Sequence, residues 1–162
     1  MAAKLSRSAQ RVQDVLSEQG DGFDVRELAS STRTASDAAE SIGCTVGQIA
    51  KSLVFREGGT GEAILVVASG VNRVDAAKVR AAASLDLKRA DGNFVKDRTG
   101  FAIGGIPPVA HAAPLRTVLD QDLRQYAEIW AAAGTPHAVF RLTPERLGAL
   151  TGGQWIDLRE EK

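Results

Sequence analysis

Ile49-Ala50-Lys51-Ser52-Leu53-Val54-Phe55, the turn Glu57-Gly58-Gly59-Thr60-Gly61, and Glu62-Ala63-Ile64-Leu65-Val66-Val67-Ala68-Ser69 form the stretch on which the fold turns. From Ala63 to Ala68 the chain is apolar without a break, the signature of a strand buried on both faces. With the preceding run and the glycine turn it predicts a central β-hairpin. Residues two apart on a strand share a face, so Ile49, Lys51, Leu53 and Phe55 form one row. Lys51 is then a cation among large apolar side chains, where an ammonium must find a partner or lose its charge. Two readings follow. The stem packs while the ammonium reaches the edge, or the ammonium lines a cavity and meets an anion or a developing oxyanion.

Working outward, Leu5, Ala9, Val12, Val15 and Leu16 recur at helical spacing before a stop at Gly20. Phe23 to Leu28 reads as a short strand, and Ser30 to Thr34 as a polar loop. Thr34 or Ser36 caps a short helix ending at Gly43, and Thr45 caps a further turn through Gln48. Asp75 to Ala83 and Asp91 to Arg98 are predicted helices. Leu115 to Leu119, Ala138 to Leu142 and Trp155 to Leu158 are predicted strands. Asp120 to Ala133 reads as a helix with Leu123, Tyr126, Ala127, Trp130 and Ala133 on one face. Thr143-Pro144-Glu145 opens another, with a cap, a first-position proline and an acid in the first turn. The charged tail Arg159 to Lys162 reads as frayed. Hairpin-like strands among irregularly placed helices point to an α+β domain, one domain over 1–162, with no repeat and no dividing linker.

Among 162 residues, 44% are hydrophobic, and Lys plus Arg equals Asp plus Glu at 20 each. The balance argues against a protein that grips long DNA through phosphates, but leaves room for a site touching only the end of a nucleic acid. Cys44 is the single cysteine, so neither an internal disulfide nor a familiar zinc site is expected, and no metal or cofactor. A reducing, cytoplasmic location is the expectation. No leader is expected, since no apolar run follows Met1 to Arg7, and no run is long and apolar enough for a membrane. Neither a dinucleotide glycine fingerprint nor a Walker lysine is present.

Gly100-Phe101-Ala102-Ile103-Gly104-Gly105-Ile106-Pro107-Pro108-Val109-Ala110-His111 cannot be helical. It is either a tight turn between strands or a stiff cradle whose bare amides face a small polar ligand. Trp130 and Trp155 sit in apolar patterns and read as core. Arg73, Lys78, Arg80, Lys88 and Arg89 form a loose basic group, either a solvated face or a guide for nucleic acid.

Thr34-Ala35-Ser36-Asp37-Ala38-Ala39-Glu40, Ile42-Gly43-Cys44, Val46 to Phe55 and Gly100 to Pro108 resemble the YbaK family, the free-standing relatives of the editing domain of bacterial prolyl-tRNA synthetase. The similarity continues through Thr117-Val118-Leu119-Asp120, Ala133-Gly134 and Leu150-Thr151-Gly152-Gly153. The resemblance implies a mixed, barrel-like sheet surrounded by helices. It also implies hydrolysis of the ester at the 3′ end of a mischarged aminoacyl-tRNA carrying a small amino acid, of the Cys- or Ala-tRNA(Pro) type. Its lysine matches Lys51, its Gly-x-x-x-Pro loop matches Gly104 to Pro108, and His137 stands where some branches carry a functional polar residue. Lys51, Gly104 and His137 are therefore the expected catalytic residues, and Gly105, Ile106, Pro107, Pro108 and His111 the expected substrate-binding ones. A synthetase is an implied partner. Ala110 departs from the glycine often found before the histidine, and its methyl is expected to narrow the pocket. No Ser-His-Asp arrangement is visible, so orientation and charge must carry the hydrolysis. The alternatives are a non-catalytic module that binds an aminoacyl or nucleotide group, and an esterase for small metabolites.

Overall fold

The computed structural model describes residues 5–161; the N-terminal residues read above for a leader, and Lys162 of the tail, lie outside them. The predicted hairpin is its centre. Strand β2 (Ile49–Glu57) pairs antiparallel with β3 (Ala63–Ser69) from Ala50↔Ser69 to Arg56↔Ala63. Every residue of β3 is buried, as its unbroken apolar run requires. Beyond β3 lie β5 (Arg116–Asp120) and β8 (Gln154–Ile156), both added in parallel. On the other side of β2 come β6 (Ile129–Ala132), parallel, then β7 (Ala138–Leu142) and the two-residue β1 (Arg26–Glu27), both antiparallel. The short β4 (Leu87–Arg89) joins the same edge of β2 further along. The result is one mixed eight-stranded sheet.

The helices begin where their caps dictate. In α1 (Arg7–Gln19) the Ser6 hydroxyl accepts from the Ala9 amide; in α2 (Ala35–Ile42) Thr34 accepts from Asp37 and Gly43 closes the helix in the left-handed region. Asp75, Asp91 and Thr143 cap α3 (Ala76–Ala83), α4 (Gly92–Thr99) and α5 (Pro144–Thr151) in the same way. One sheet face packs Leu65, Val67, Leu119 and Phe140 against α1, α4, α5 and the Gly-Pro loop. The other packs Ile64, Val66 and Val118 against α3, with α2 seated over Ile49 nearby.

Two expectations change. Asp120 to Ala133 is not a helix. Asp120 caps a single 3-10 turn (Gln121–Gln125), Tyr126 is extended, and the chain continues as β6. Ile129 and Ala131 are buried while Trp130 and Ala132 are partly open, and ladder bonds to β2 and β7 override the alanine-rich helical spacing. The tail is held as far as Glu161: Arg159 pairs with Val74 and reaches Asp122 at 3.2 Å, the Glu160 amide donates to the Arg73 carbonyl, and Lys78 meets Glu161 at 2.7 Å.

Candidate active site

The site is a gap in the sheet. On its outer edge β2 is paired by β6 only at Ile49 and Ala50, and by β4 only from Phe55 to Glu57. Between them Lys51 to Val54 have no strand beside them, and a cavity of about 500 Å³ opens there. Lys51 and Ser52 line it from β2, Trp130 from β6, Arg89 from β4, and Gly104 and Ile106 from the Gly-Pro loop.

Lys51 is half-buried and its Nζ donates to the Asn72 carbonyl at 2.6 Å. Burial, and then the neighbouring Arg73 charge, push its pKa below the ordinary lysine value; buried Asp120 opposes them. Arg33 also reaches the cavity wall, and among the described residues no aspartate, glutamate or histidine does. Among the described residues neither Arg33 nor Arg89 lies within ion-pair distance of a carboxylate. A chain of zero formal charge thus brings Lys51, Arg33 and Arg89 to one hollow, which favours an anionic occupant. The Ser52 hydroxyl is buried and has no hydrogen-bond partner among the described residues.

The Gly-Pro loop forms no regular element. Gly104 has φ of +102°, which a side chain would strain. A Cβ on Gly105 would fall 2.7 Å from the Thr135 backbone, so only glycine fits that approach. The Gly105 amide donates to the Ala102 carbonyl at 3.3 Å, and its own carbonyl accepts from Gly134 at 2.8 Å. Neither Gly104 nor Ile106 donates its amide to another described residue.

Of the residues expected at the site, the structure brings Lys51, Gly104 and Ile106 to one cavity, with Gly105 bracing the loop behind them. Pro107 and Pro108 are buried, and Pro108, Ala110 and His111 line a second cavity of about 400 Å³ against α1 and α5. The His111 Nε2–H donates to the Pro107 carbonyl at 2.7 Å, and burial holds this imidazole below its usual pKa. His137 is exposed and stands outside the Lys51 cavity wall; its ring nitrogen Nδ1 faces the Ser30 carbonyl at 3.2 Å. It leaves the cavity because the chain before β7 bends toward the 28–32 segment, where Thr32 donates to the Pro136 carbonyl. The Ala110 methyl therefore narrows the second cavity, not the first. Ala110 has φ of +66°, the physical reason a glycine suits the position.

Sequence reasoning did not single out Arg33, Asn72 or Trp130 for the site. Each arrives by a long-range contact, and Trp130 is at the wall only because its segment is a strand. Among the described residues no cluster of three or more His, Cys, Asp or Glu side chains could hold a metal ion, and no helix is long and apolar enough to cross a membrane.

Residues 29–150 match the aminoacyl-tRNA editing domain family, and the chain belongs to it. It is 35% identical over 136 residues to the Bacillus subtilis "Uncharacterized protein YwhH", covering 83% of this chain and 86% of that protein. It is 30% identical over 128 residues to the Enterococcus faecalis "Putative Cys-tRNA(Pro)/Cys-tRNA(Cys) deacylase EbsC", covering 77% of this chain and 76% of that protein. A solved structure titled "Crystal structure of a putative trans-editing enzyme for prolyl tRNA synthetase" superposes with a TM-score of 0.91 at 51% identity, over 98% of this chain and all of that one. The resemblance read from the sequence is to this family, and the fold is that of the superposed structure.

Proposed function

We propose that the chain is a free-standing aminoacyl-tRNA deacylase that clears mischarged tRNA in the cytoplasm. The observation that carries this reading is the Lys51 ammonium, held half-buried at a gap in the sheet, in one cavity with Gly104 and Ile106, whose amides donate to no other described residue. In the reaction a water oxygen adds to the ester carbonyl and forms a tetrahedral oxyanion. The bond to the ribose oxygen then breaks, that oxygen takes up a proton, and the amino acid leaves as its acid. Lys51 binds the terminal phosphate or the developing oxyanion, and the loop amides hold the aminoacyl carbonyl or amino group. The ring of His137 holds Ser30 and so steadies the loop that carries Thr32 and Arg33 to the cavity mouth. Among the described residues no carboxylate or imidazole lines the cavity, so the water's proton passes to a group of the substrate, such as the neighbouring ribose hydroxyl. The apolar walls suit a small side chain such as that of alanine or cysteine, a synthetase is the natural partner for delivery, and no metal is needed.

That missing base also favours a second reading, a module that binds the aminoacyl or nucleotide group without cleaving it. Purified protein incubated with a panel of tRNAs mischarged with small amino acids separates the two. Release of amino acid that disappears in Lys51→Ala supports the deacylase. Binding without release across the panel rejects it.

A further inference from the structure

Two turns meet beside Lys51. In the turn after β3 the Asn72 amide returns to the Ser69 carbonyl at 2.9 Å. Asn72 itself is buried, and its side-chain nitrogen donates to two carboxylates, Asp120 Oδ2 at 2.8 Å and Asp122 Oδ2 at 2.9 Å. Asp120, 1% exposed at the end of β5, also accepts from the Ser69 amide at 3.0 Å and the Asp122 amide at 2.9 Å. Asp122 is paired with Arg159, but among the described residues no cation lies within ion-pair distance of Asp120. A buried carboxylate in that position needs hydrogen bonds and a nearby positive charge. The three amide donors supply the first. With both hydrogens of its side-chain amide engaged, Asn72 has one orientation, and its peptide oxygen points at Lys51 Nζ.

We infer that Asn72 and Asp120 are positioning residues for Lys51: the Asn72 carbonyl holds the ammonium at the cavity wall, while Asp120 anchors Asn72 and supplies the compensating negative charge. An ammonium has three donors and no acceptor. One is used on Asn72, and two remain for the occupant of the cavity. A lysine stem is otherwise free to swing, and holding it before the ligand arrives removes that ordering from the reaction. The idea rests on Lys51 as the charge that meets the substrate.

The charges that face Lys51 make the test two-signed. Arg73, beside Asn72, repels the ammonium and Asp120 attracts it. Asp122 and Arg159 offset each other, and Arg33 and Arg89 stand on other walls of the same cavity. The full chain, carrying carbon-13 lysine, is titrated with no tRNA present; the Lys51 signal is identified by its loss in Lys51→Arg. Asp120→Asn keeps the shape and removes the charge, and is expected to move the Lys51 midpoint to lower pH. Arg73→Gln, at an exposed position, is expected to move it to higher pH. With mischarged tRNA, Asn72→Ala is expected to lower kcat on the order of 10²-fold, as misplacement by about 1 Å does, with a smaller change in KM. The alkaline limb of kcat/KM in Asp120→Asn is expected to follow the titration downward, which a loss of folding alone does not produce. A Lys51 midpoint unmoved by either charge change, in folded proteins, overturns the inference. Should Asp120→Asn not fold, Arg73→Gln decides, because an ammonium held at Asn72 sits beside Arg73 and a swinging one does not. Since the titration contains no substrate, a protein without deacylase activity leaves this result standing and rejects only the activity.

Discussion

The Gly-Pro loop separates two cavities of similar volume, about 500 and 400 Å³, that differ in what their polar groups are doing. In the second, the His111 ring donates to the Pro107 carbonyl, the Thr117 and Thr151 hydroxyls donate to the Leu115 and Leu147 carbonyls, and the Ala110 carbonyl accepts from Arg11. In the first, the Ser52 hydroxyl, the Gly104 and Ile106 amides and two arginines have no protein partner among the described residues. Burying polar groups without partners costs stability. Arg33 and Arg89 are exposed, and the one buried side-chain atom left unmet among the described residues, the Ser52 hydroxyl, lies on the Lys51 side of the loop. That hydroxyl and the cations Lys51, Arg33 and Arg89, more than volume, distinguish the cavity proposed to bind the substrate.

The comparison breaks most readily at Lys51. Lys51→Ala is expected to lower deacylation by about 10²–10³-fold, the usual loss for one oxyanion contact, while His111→Gln stays within a few-fold. Equal losses in a deacylation assay would erase the distinction between the cavities. Gly105→Ala strikes the partition itself. With its Cβ 2.7 Å from the Thr135 backbone, the loop must shift, and urea denaturation is expected to show about 1–3 kcal/mol of destabilisation.

Salt sharpens the same contrast. Arg33→Gln and Arg89→Gln are each expected to weaken tRNA binding several-fold and to reduce the slope of log affinity against log salt by roughly 0.7, the value for one single-strand phosphate contact. An unchanged slope would place both arginines off the nucleic acid path. On the other side, His111 has a folded pKa below its unfolded value of about 6.5. Its contribution to stability is complete above that unfolded value. As pH falls toward the lowered folded value, the unfolded chain takes up the proton first and stability drops. Thermal unfolding across pH 5–8 is expected to show a decline on the acid side that is smaller in His111→Gln. The smallest effect is expected from Ala110→Gly. Relief of left-handed strain, about 1–2 kcal/mol, is partly offset by glycine's entropy, about 0.5–1 kcal/mol. The melting temperature should rise slightly, with turnover untouched because the methyl faces the second cavity.

Much of the fold was legible because its signals are local. Thr34, Asp75 and Thr143 each cap the helix expected of them, and the Ala63 to Ala68 run is as buried as its composition demands. β6 was not legible. Leu123, Tyr126 and Trp130 keep helical spacing, and what makes Ile129–Ala132 a strand is the pair of ladders offered by β2 and β7. The same limit applied at the site. Lys51 could be placed on an apolar strand face from its neighbours alone. That Arg33 and Arg89 join it, and that His137 and His111 do not, depends on where distant segments cross.

The order of residues by itself determined where most of the helices lie, which strand lies at the centre, and that a lysine and a glycine–proline loop are the unusual features needing explanation. Those follow from interactions within a few residues of chain. Only the tertiary structure decided that β4 and β6 stop short of one another on the edge of β2, leaving Lys51 to Val54 open, and that Asn72 and Asp120 stand behind the ammonium. Such pairings join residues up to 80 or so positions apart, and no local pattern encodes which of them the packed chain will satisfy and which it will leave for a ligand.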